Sequence, residues 1–301
     1  MMSRANRSAK LISGVAMQWF DALVQGILLG GMYAQYALGM ALMFGVMRIV
    51  NVSHGDLVIL LSLIGISLAS AFGLGPFTVM AALVPLAVAM GWLLQRAVLN
   101  RVVGEDPLPS LIATFGLSLA LQNLMLQIWS ANSRSLPGGG IESQSIQIGG
   151  IYIGLLPVLV LLVAAGLTLG LDLMLKRMRF GRALRAAAAD VEAASMTGVN
   201  AKTVYATATA IAVGILGFAA VFQALRSTVA PADGGAQLIY AFEAVIIGGM
   251  GSVWGAFAGS MVLGIAQAVG FRLDPGFGVL AGHLVFLLIL AVRPQGLFGR
   301  A

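Results

Sequence analysis

Apolar residues run almost unbroken along this chain, in stretches longer than strands and separated by short polar connections. The runs cover 17–47, 57–72, 76–98, 111–129, 151–175, 204–225, 241–271 and 278–292. A helix needs about 20 apolar residues to cross a bilayer, so the pattern predicts an all-α polytopic bundle of about eight spans. The first and seventh runs exceed one untilted crossing. Each is therefore expected to contain a break, a re-entrant piece or a second short helix.

Composition hardens this reading. Of 301 residues, 59% are hydrophobic and 9% charged, with mean hydropathy +0.98, whereas soluble domains carry about 25% charged residues. The chain reads as a single transmembrane domain, 1–301, with no room for a soluble catalytic one. The absence of cysteine excludes disulfide, iron–sulfur and thiolate chemistry. The two histidines, His54 and His283, are too far apart for a familiar metal motif, so no metal is expected.

The net charge of +6 is better read as topology than as affinity for nucleic acid, because Lys and Arg collect in cytoplasmic loops. Segment 176–202 holds Lys176, Arg177, Arg179, Arg182, Arg185 and Lys202. The N-terminal tail, 1–16, holds Arg4, Arg7 and Lys10. Arg293 and Arg300 lie in the C-terminal tail, and Arg96 and Arg101 in another connection. Placing these regions in the cytoplasm leaves Arg134, Arg226 and Arg272 for the outer loops, with Arg48 near a helix break. Both termini and segment 176–202 are then inside. The basic opening resembles that of a signal peptide, but apolarity continues to Met47, so the first segment reads as retained. Five runs separate the N-terminus from segment 176–202, and a shared side demands an even number of crossings. One run must be re-entrant, or the first must cross twice, with the irregularity expected at 48–56. In the outer loop, Ile146-Gln147-Ile148 and Ile151-Tyr152-Ile153 flank Gly149-Gly150, a β-hairpin signal. It either tidies the loop or offers a surface to an external partner.

Three constellations carry candidate chemistry. The first is Asn51, Ser53, His54, Gly55 and Asp56, polar groups lying between two apolar runs. Non-helical backbone at membrane depth must line protein or water, so this stretch reads as a broken element near a translocation route, with Asn51 and His54 hydrogen-bonding across it. A plainer reading makes Asn51 or Ser53 the cap of the next helix, with Asp56 at its positive end. The second is the alanine-rich run 181–198, expected to form a cytoplasmic helix ending at Gly198. Arg182, Arg185, Asp190 and Glu192 give it polar faces, suited to another protein's groove or to lipid headgroups. The third is glycine at four-residue spacing, Gly26 and Gly30, then Gly251, Gly255 and Gly259, read as helix packing. Within that last run Glu243 needs a partner or a water-filled cavity. Residues 27–32 echo 245–250, as internal repeats of transporters do.

Together these residues resemble the membrane permease subunits of bacterial ABC importers for branched-chain amino acids, of the LivH type. The resemblance is carried by GGMYAQYALGMALMFGVMRIVNVSHGD at 30–56, FGRALRAAAADVEAASMTGVN at 180–200, EAVIIGGMGSVWGAFAG at 243–259 and RPQGLFG at 293–299. The chain departs by its basic N-terminal extension and by NVSHGD where a form like NFAHGE is usual. The resemblance implies a second related permease subunit, two cytoplasmic ATP-binding subunits that hold ATP and Mg, and a periplasmic substrate-binding protein, all at the inner membrane. Glu192-Ala193-Ala194 followed by Gly198 matches the EAA-xxx-G pattern of importer coupling loops, which implies that this helix sits in a cleft of the ATPase.

The chain contains no GxxxxGK[ST] phosphate loop, so it is expected to be no enzyme and to hold no cofactor. Two other classes compete. An ion-coupled secondary transporter of small polar solutes would need ionisable residues on membrane helices, for which Glu243 qualifies. An intramembrane hydrolase would need a pair such as Ser260 and His283, without a nucleophile-elbow sequence to support it.

Overall fold

The computed structural model describes residues 3–104 and 106–299; the side chains of residues 3–16 and of Ile148 lie outside that description. Among the described residues there are eleven α-helices and one β-hairpin. They are α1 (Ser3–Met47), α2 (His54–Phe72), α3 (Pro76–Ala97), α4 (Leu108–Trp129), β1 (Ser145–Ile148), β2 (Ile151–Gly154), α5 (Leu155–Arg177), α6 (Arg179–Ala189), α7 (Val191–Met196), α8 (Ala201–Arg226), α9 (Gly234–Gly248), α10 (Val253–Leu273) and α11 (Phe277–Val292). Seven helices are long and apolar enough to span a membrane, and α11 is a shorter apolar helix of 16 residues. The chain is a multi-pass membrane protein of helical fold.

The chain's few polar residues set its helix boundaries. Asn200 accepts from the Thr203 amide (3.2 Å) to start α8, and Ser252 from the Gly255 amide (3.0 Å) to start α10. Gly73 ends α2 in the left-handed conformation, φ 63°, and Pro76 opens α3. The hairpin forms where Gly149-Gly150 predicted it, with Ile148 opposite Ile151.

The expected break in the seventh run is present at 249–252. The expected break inside the first run is not: α1 is continuous, and the irregularity follows it at 48–53. No proline interrupts it, and its small residues let α10 lie close along it. A Cβ on Gly26 would meet the Ile265 backbone at 2.6 Å, and one on Gly30 the Met261 backbone at 2.8 Å. These glycines thus face α10 near Gly264, not Gly251, Gly255 and Gly259 as one set. Gly255 and Gly259 press on α9, while Gly251 lies in the turn between α9 and α10 with φ 82°.

The parity question is settled by which ends meet. A Cβ on Gly150 would lie 3.1 Å from the Met17 side chain, and Gln25 donates to the Tyr152 carbonyl (2.9 Å), so the Met17 end of α1 lies at the hairpin. Met47, at its other end, packs with Leu184 and Ala187 of α6. Five long helices therefore separate Met17 from segment 176–202, at opposite ends of the bundle. The amides of Leu297 and Phe298 donate to Ile247 and Gly248 (2.8 and 3.0 Å), at the α6 end. Met17 and residues 297–298 thus lie at opposite ends of the bundle. The side chains of Arg4, Arg7 and Lys10, on which the expectation that both termini lie inside rested, are outside the described residues.

Two three-helix units, α1–α3 and α8–α10, run in opposite senses. α1 and α8 are antiparallel: the Tyr36 hydroxyl reaches Gln223, Gly39 lies against the Ala212 carbonyl, and Met47 shares a cluster with Val204. After each, the chain doubles back and begins a shorter element, α2 or α9. The third helix of each unit then packs on the first helix of the other, α3 on α8 and α10 on α1. Inverted repeats of this kind bring discontinuous helices to mid-depth. The echo between 27–32 and 245–250 is not this repeat, for the first lies inside a continuous helix and the second at a turn. α2 and α4 run parallel, tied by Val52–Thr114, Asp56–Ser118 and Ser67–Trp129.

Candidate functional site

The two doubled-back segments meet where α2 and α9 begin. A Cβ on Gly55 would fall 1.9 Å from the Gly234 carbonyl, and one on Gly234 would fall 2.2 Å from Asp56 Oδ1. Only glycine at both positions lets these helix starts touch. The Asp56 carboxylate therefore sits against the first residue of α9, where amide dipoles favour negative charge. Its other oxygen accepts from the Ser118 hydroxyl at 2.5 Å.

The first reversal, 48–53, is held by polar side chains. Arg48 leaves α1 with φ 53°. Asn51 Oδ1 accepts from both the Ser53 amide (3.1 Å) and the Ser53 hydroxyl (2.7 Å). Ser53 occupies the cap position of α2, yet its hydroxyl serves Asn51 and makes no side-chain cap bond. His54 Nε2 donates to the Tyr36 carbonyl (2.9 Å), linking α2 back to α1. The hydrogen bonds expected across the break exist, and both sequence readings of it hold in part. Asn51, Ser53, His54 and Asp56 are all buried. Asn51 Nδ2 and His54 Nδ1 have no partner among the described residues. Buried polar atoms almost always find one, so this reversal keeps two hydrogen-bonding positions that its own side chains do not fill.

Glu243 stands apart from that group. Its Oε1 lies 2.5 Å from His283 Nδ1, joining α9 to α11, and its Oε2 has no partner among the described residues. His283 was the missing partner, unreadable from sequence because it lies on a different helix. Ser260 donates to the Ala256 carbonyl of its own helix (2.7 Å), and no hydrogen bond joins it to His283 among the described residues. A hydrolytic pair is therefore unsupported. A polar belt missed by the sequence reading crosses the bundle above: the Tyr33 hydroxyl donates to Gln267 (2.5 Å) and the Tyr36 hydroxyl to Gln223 (2.6 Å). Their i, i+3 spacing on α1 is the one signal that could have found it.

Segment 176–202 forms two helices rather than one. Asp190 is extended (φ −155°, ψ 113°), ends α6, and caps α7 by accepting from the Ala193 amide at 2.9 Å. A short acid able to cap a new helix competes with continuing the old one. Gly198 does end the element, with φ 86° and the Val199 amide returning to Ala194 (3.1 Å). α6 buries Leu184 and Ala187 against the bundle and exposes Arg182 and Arg185, the latter donating to the Leu175 carbonyl. On α7, Ala194 is buried, whereas Val191, Glu192, Ala193 and Met196 are exposed, Met196 at 87%.

The chain's likeness to known proteins follows this architecture. The family described as the permease component of branched-chain amino acid transport systems matches residues 22–292. The chain belongs to that family. It is 30% identical over 297 residues to the high-affinity branched-chain amino acid transport permease BraD of Pseudomonas aeruginosa, covering 94% of this chain and 96% of that protein. It is 27% identical over 298 residues to the LivH permease of Escherichia coli K12, with the same coverage. It is 24% identical over 282 residues to a probable LivH permease of Methanocaldococcus jannaschii, covering 87% of each. No solved structure matches the chain. In this permease, then, both the reversals and the α6–α7 segment fall inside the region shared with the family.

Proposed function

We propose that this chain is one of two membrane subunits of an ATP-driven ABC importer that carries branched-chain or related hydrophobic amino acids across a bacterial inner membrane. The observation that carries the reading is the family match over residues 22–292, with a relative aligned over 94% of the chain. A second related permease, two cytoplasmic ATP-binding subunits holding ATP and Mg, and a periplasmic binding protein complete the machine. The end of the bundle bearing α6 and α7 faces the cytoplasm, since it carries the basic segment 176–202. The hairpin and Met17 then face outward and the C-terminal residues inward.

In this reading α7 is the contact with the ATPase. Its exposed Val191, Glu192, Ala193 and Met196 present a small apolar knob with one acid, and Asp190, Ala194 and Gly198 fix its shape, while Arg182 and Arg185 flank it from α6. Glu192→Lys is expected to abolish uptake of radiolabelled leucine and co-purification of the ATPase while leaving membrane insertion unchanged. Gly198→Val, which forces a β-branched residue into a left-handed conformation costing roughly 1–2 kcal/mol, should do the same less completely. Normal uptake in both variants would remove the coupling role. Asn51, Ser53, His54, Gly55 and Asp56 line or shape the path, and Glu243 acts through His283. The ion-coupled alternative is disfavoured by the likeness to permease components. ATP-independent uptake by the purified chain alone would restore it.

A further inference from the structure

The outward end of the bundle holds a cleft of about 570 Å³ that none of the residues above explains. Its volume falls in the range of small-molecule sites, about 300–1,000 Å³. Four separate elements build it: the middle of α1, the last residue of α8, the end of α10 and the start of α11. Its polar groups are of both signs and kept apart. Arg226 and Arg272 supply two guanidinium groups, and Asp21 supplies one carboxylate. Neither arginine lies within ion-pair distance of a carboxylate among the described residues. Arg272 donates to Gln18 and Asp21 accepts from Gln25 at 3.3 Å, so these two charges are steadied by neutral amides rather than neutralised. Between them the wall is apolar, with Leu29, Ala268, Phe271 and Val279. At the floor Gln267 is 5% exposed, and its Nε2 has no partner among the described residues.

Unpaired charges of both signs around an apolar wall match a small zwitterion with an apolar side chain. We infer that this cleft is an outer binding station for a free hydrophobic α-amino acid, whose carboxylate meets Arg226 and Arg272, whose ammonium meets Asp21, and whose side chain rests on Phe271 and Val279. The inference rests on the amino-acid importer reading and assigns it a place. Arginine suits this role because its planar fork recognises a carboxylate bidentately. Gln267 ties the station to the belt below through its bond from Tyr33, which gives an occupied cleft a direct mechanical link to α1.

The absence of cysteine makes the test clean. Val279→Cys, and separately Ala268→Cys, would be introduced into the assembled complex without its binding protein, in vesicles of phosphatidylcholine and phosphatidylglycerol. Labelling by a hydrophilic maleimide is then followed on this chain. Leucine should slow labelling at both positions. Leucinamide, which lacks the carboxylate, and 4-methylpentanoate, which lacks the ammonium, should need concentrations about 10- to 100-fold higher, the loss expected for one charge-assisted hydrogen bond. Arg226→Gln should shift leucine protection by a similar factor while leaving labelling without leucine unchanged. Equal protection by all three compounds, or none by leucine in a complex that imports leucine once its binding protein is added, overturns the station and leaves the importer standing. Protection by phosphatidylethanolamine in the vesicles but not by leucine overturns it in favour of a lipid headgroup. If the wild-type complex imports no branched-chain amino acid while leucine still protects, the importer reading fails and the station survives.

Discussion

The reversals at 48–53 and 227–233 occupy equivalent positions in two inverted units, and they are built from opposite materials. The first is held by side chains: Asn51 on Ser53, His54 on Tyr36, Val52 on Thr114 and Asp56 on Ser118. The second is held mainly by backbone. Val229 and Arg134 exchange amide bonds (2.7 and 3.0 Å), and the Asp233 carboxylate closes the turn on the Ala230 amide (2.7 Å). Among the described residues, only the first leaves buried side-chain polar atoms without partners. A backbone bridge satisfies its groups internally and tolerates many side chains. A side-chain scaffold depends on particular residues and keeps spare hydrogen-bonding capacity. The first reversal thus keeps spare hydrogen-bonding capacity, and the second is a self-contained backbone anchor.

The contact that joins the two reversals should be the most sensitive. Gly55→Val places a branched side chain where a Cβ alone would sit 1.9 Å from the Gly234 carbonyl. Overpacking costs typically about 1–3 kcal/mol and more when backbone must move, so this variant should fail to accumulate in membranes, read by immunoblot. Gly235→Val, one residue past the contact and with open space around it, should accumulate normally. If both accumulate alike, the helix starts do not meet as described.

Next in size is the pair of carboxylates. Asp56→Ala removes a buried acceptor and strands the Ser118 hydroxyl, a loss of roughly 2–3 kcal/mol. Asp233→Ala loses a more exposed turn-closing bond worth about 1 kcal/mol. Thermal unfolding of the purified complex should order them so, and the reverse order would mean that the second reversal carries the polar role.

The smallest effect separates scaffold from function. Asn51→Asp keeps the acceptor used by Ser53 and replaces the unpartnered Nδ2 with an oxygen, so under mildly acid conditions that keep the buried acid neutral unfolding should move little while leucine uptake falls. Equal retention of both would remove the argument from the unpartnered atom.

Much of this was legible in the residues. NVSHGD announced the first reversal, Gly149-Gly150 the hairpin, and Gly198 the end of α7. The second reversal was not legible, because Ser227 to Gly235 reads as an ordinary polar linker and contains no buried hydrogen-bonding cluster. The start of α9 was missed for the same reason: Gly234-Gly235-Ala236-Gln237 lacks apolar character, though α9 does bury Gln237. The conflict between charge and crossing count came from the basic residues before Met17, whose side chains lie outside the described residues, while five long helices run from Met17 to segment 176–202. The outer cleft was invisible, since its residues come from four elements and each looks like a helix-end charge on its own.

The turn at 249–252 has a consequence for how the molecule is made. The last carbonyls of α9 are completed by the amides of Leu297 and Phe298, which emerge from the ribosome only after α10 and α11. Until then these two carbonyls of α9 lack those partners. Closing the end of this half-helix is therefore a late step of folding, waiting on residues far downstream. A pause or truncation after α11 would leave the nascent chain threaded yet unfinished, an exposed target for membrane quality control.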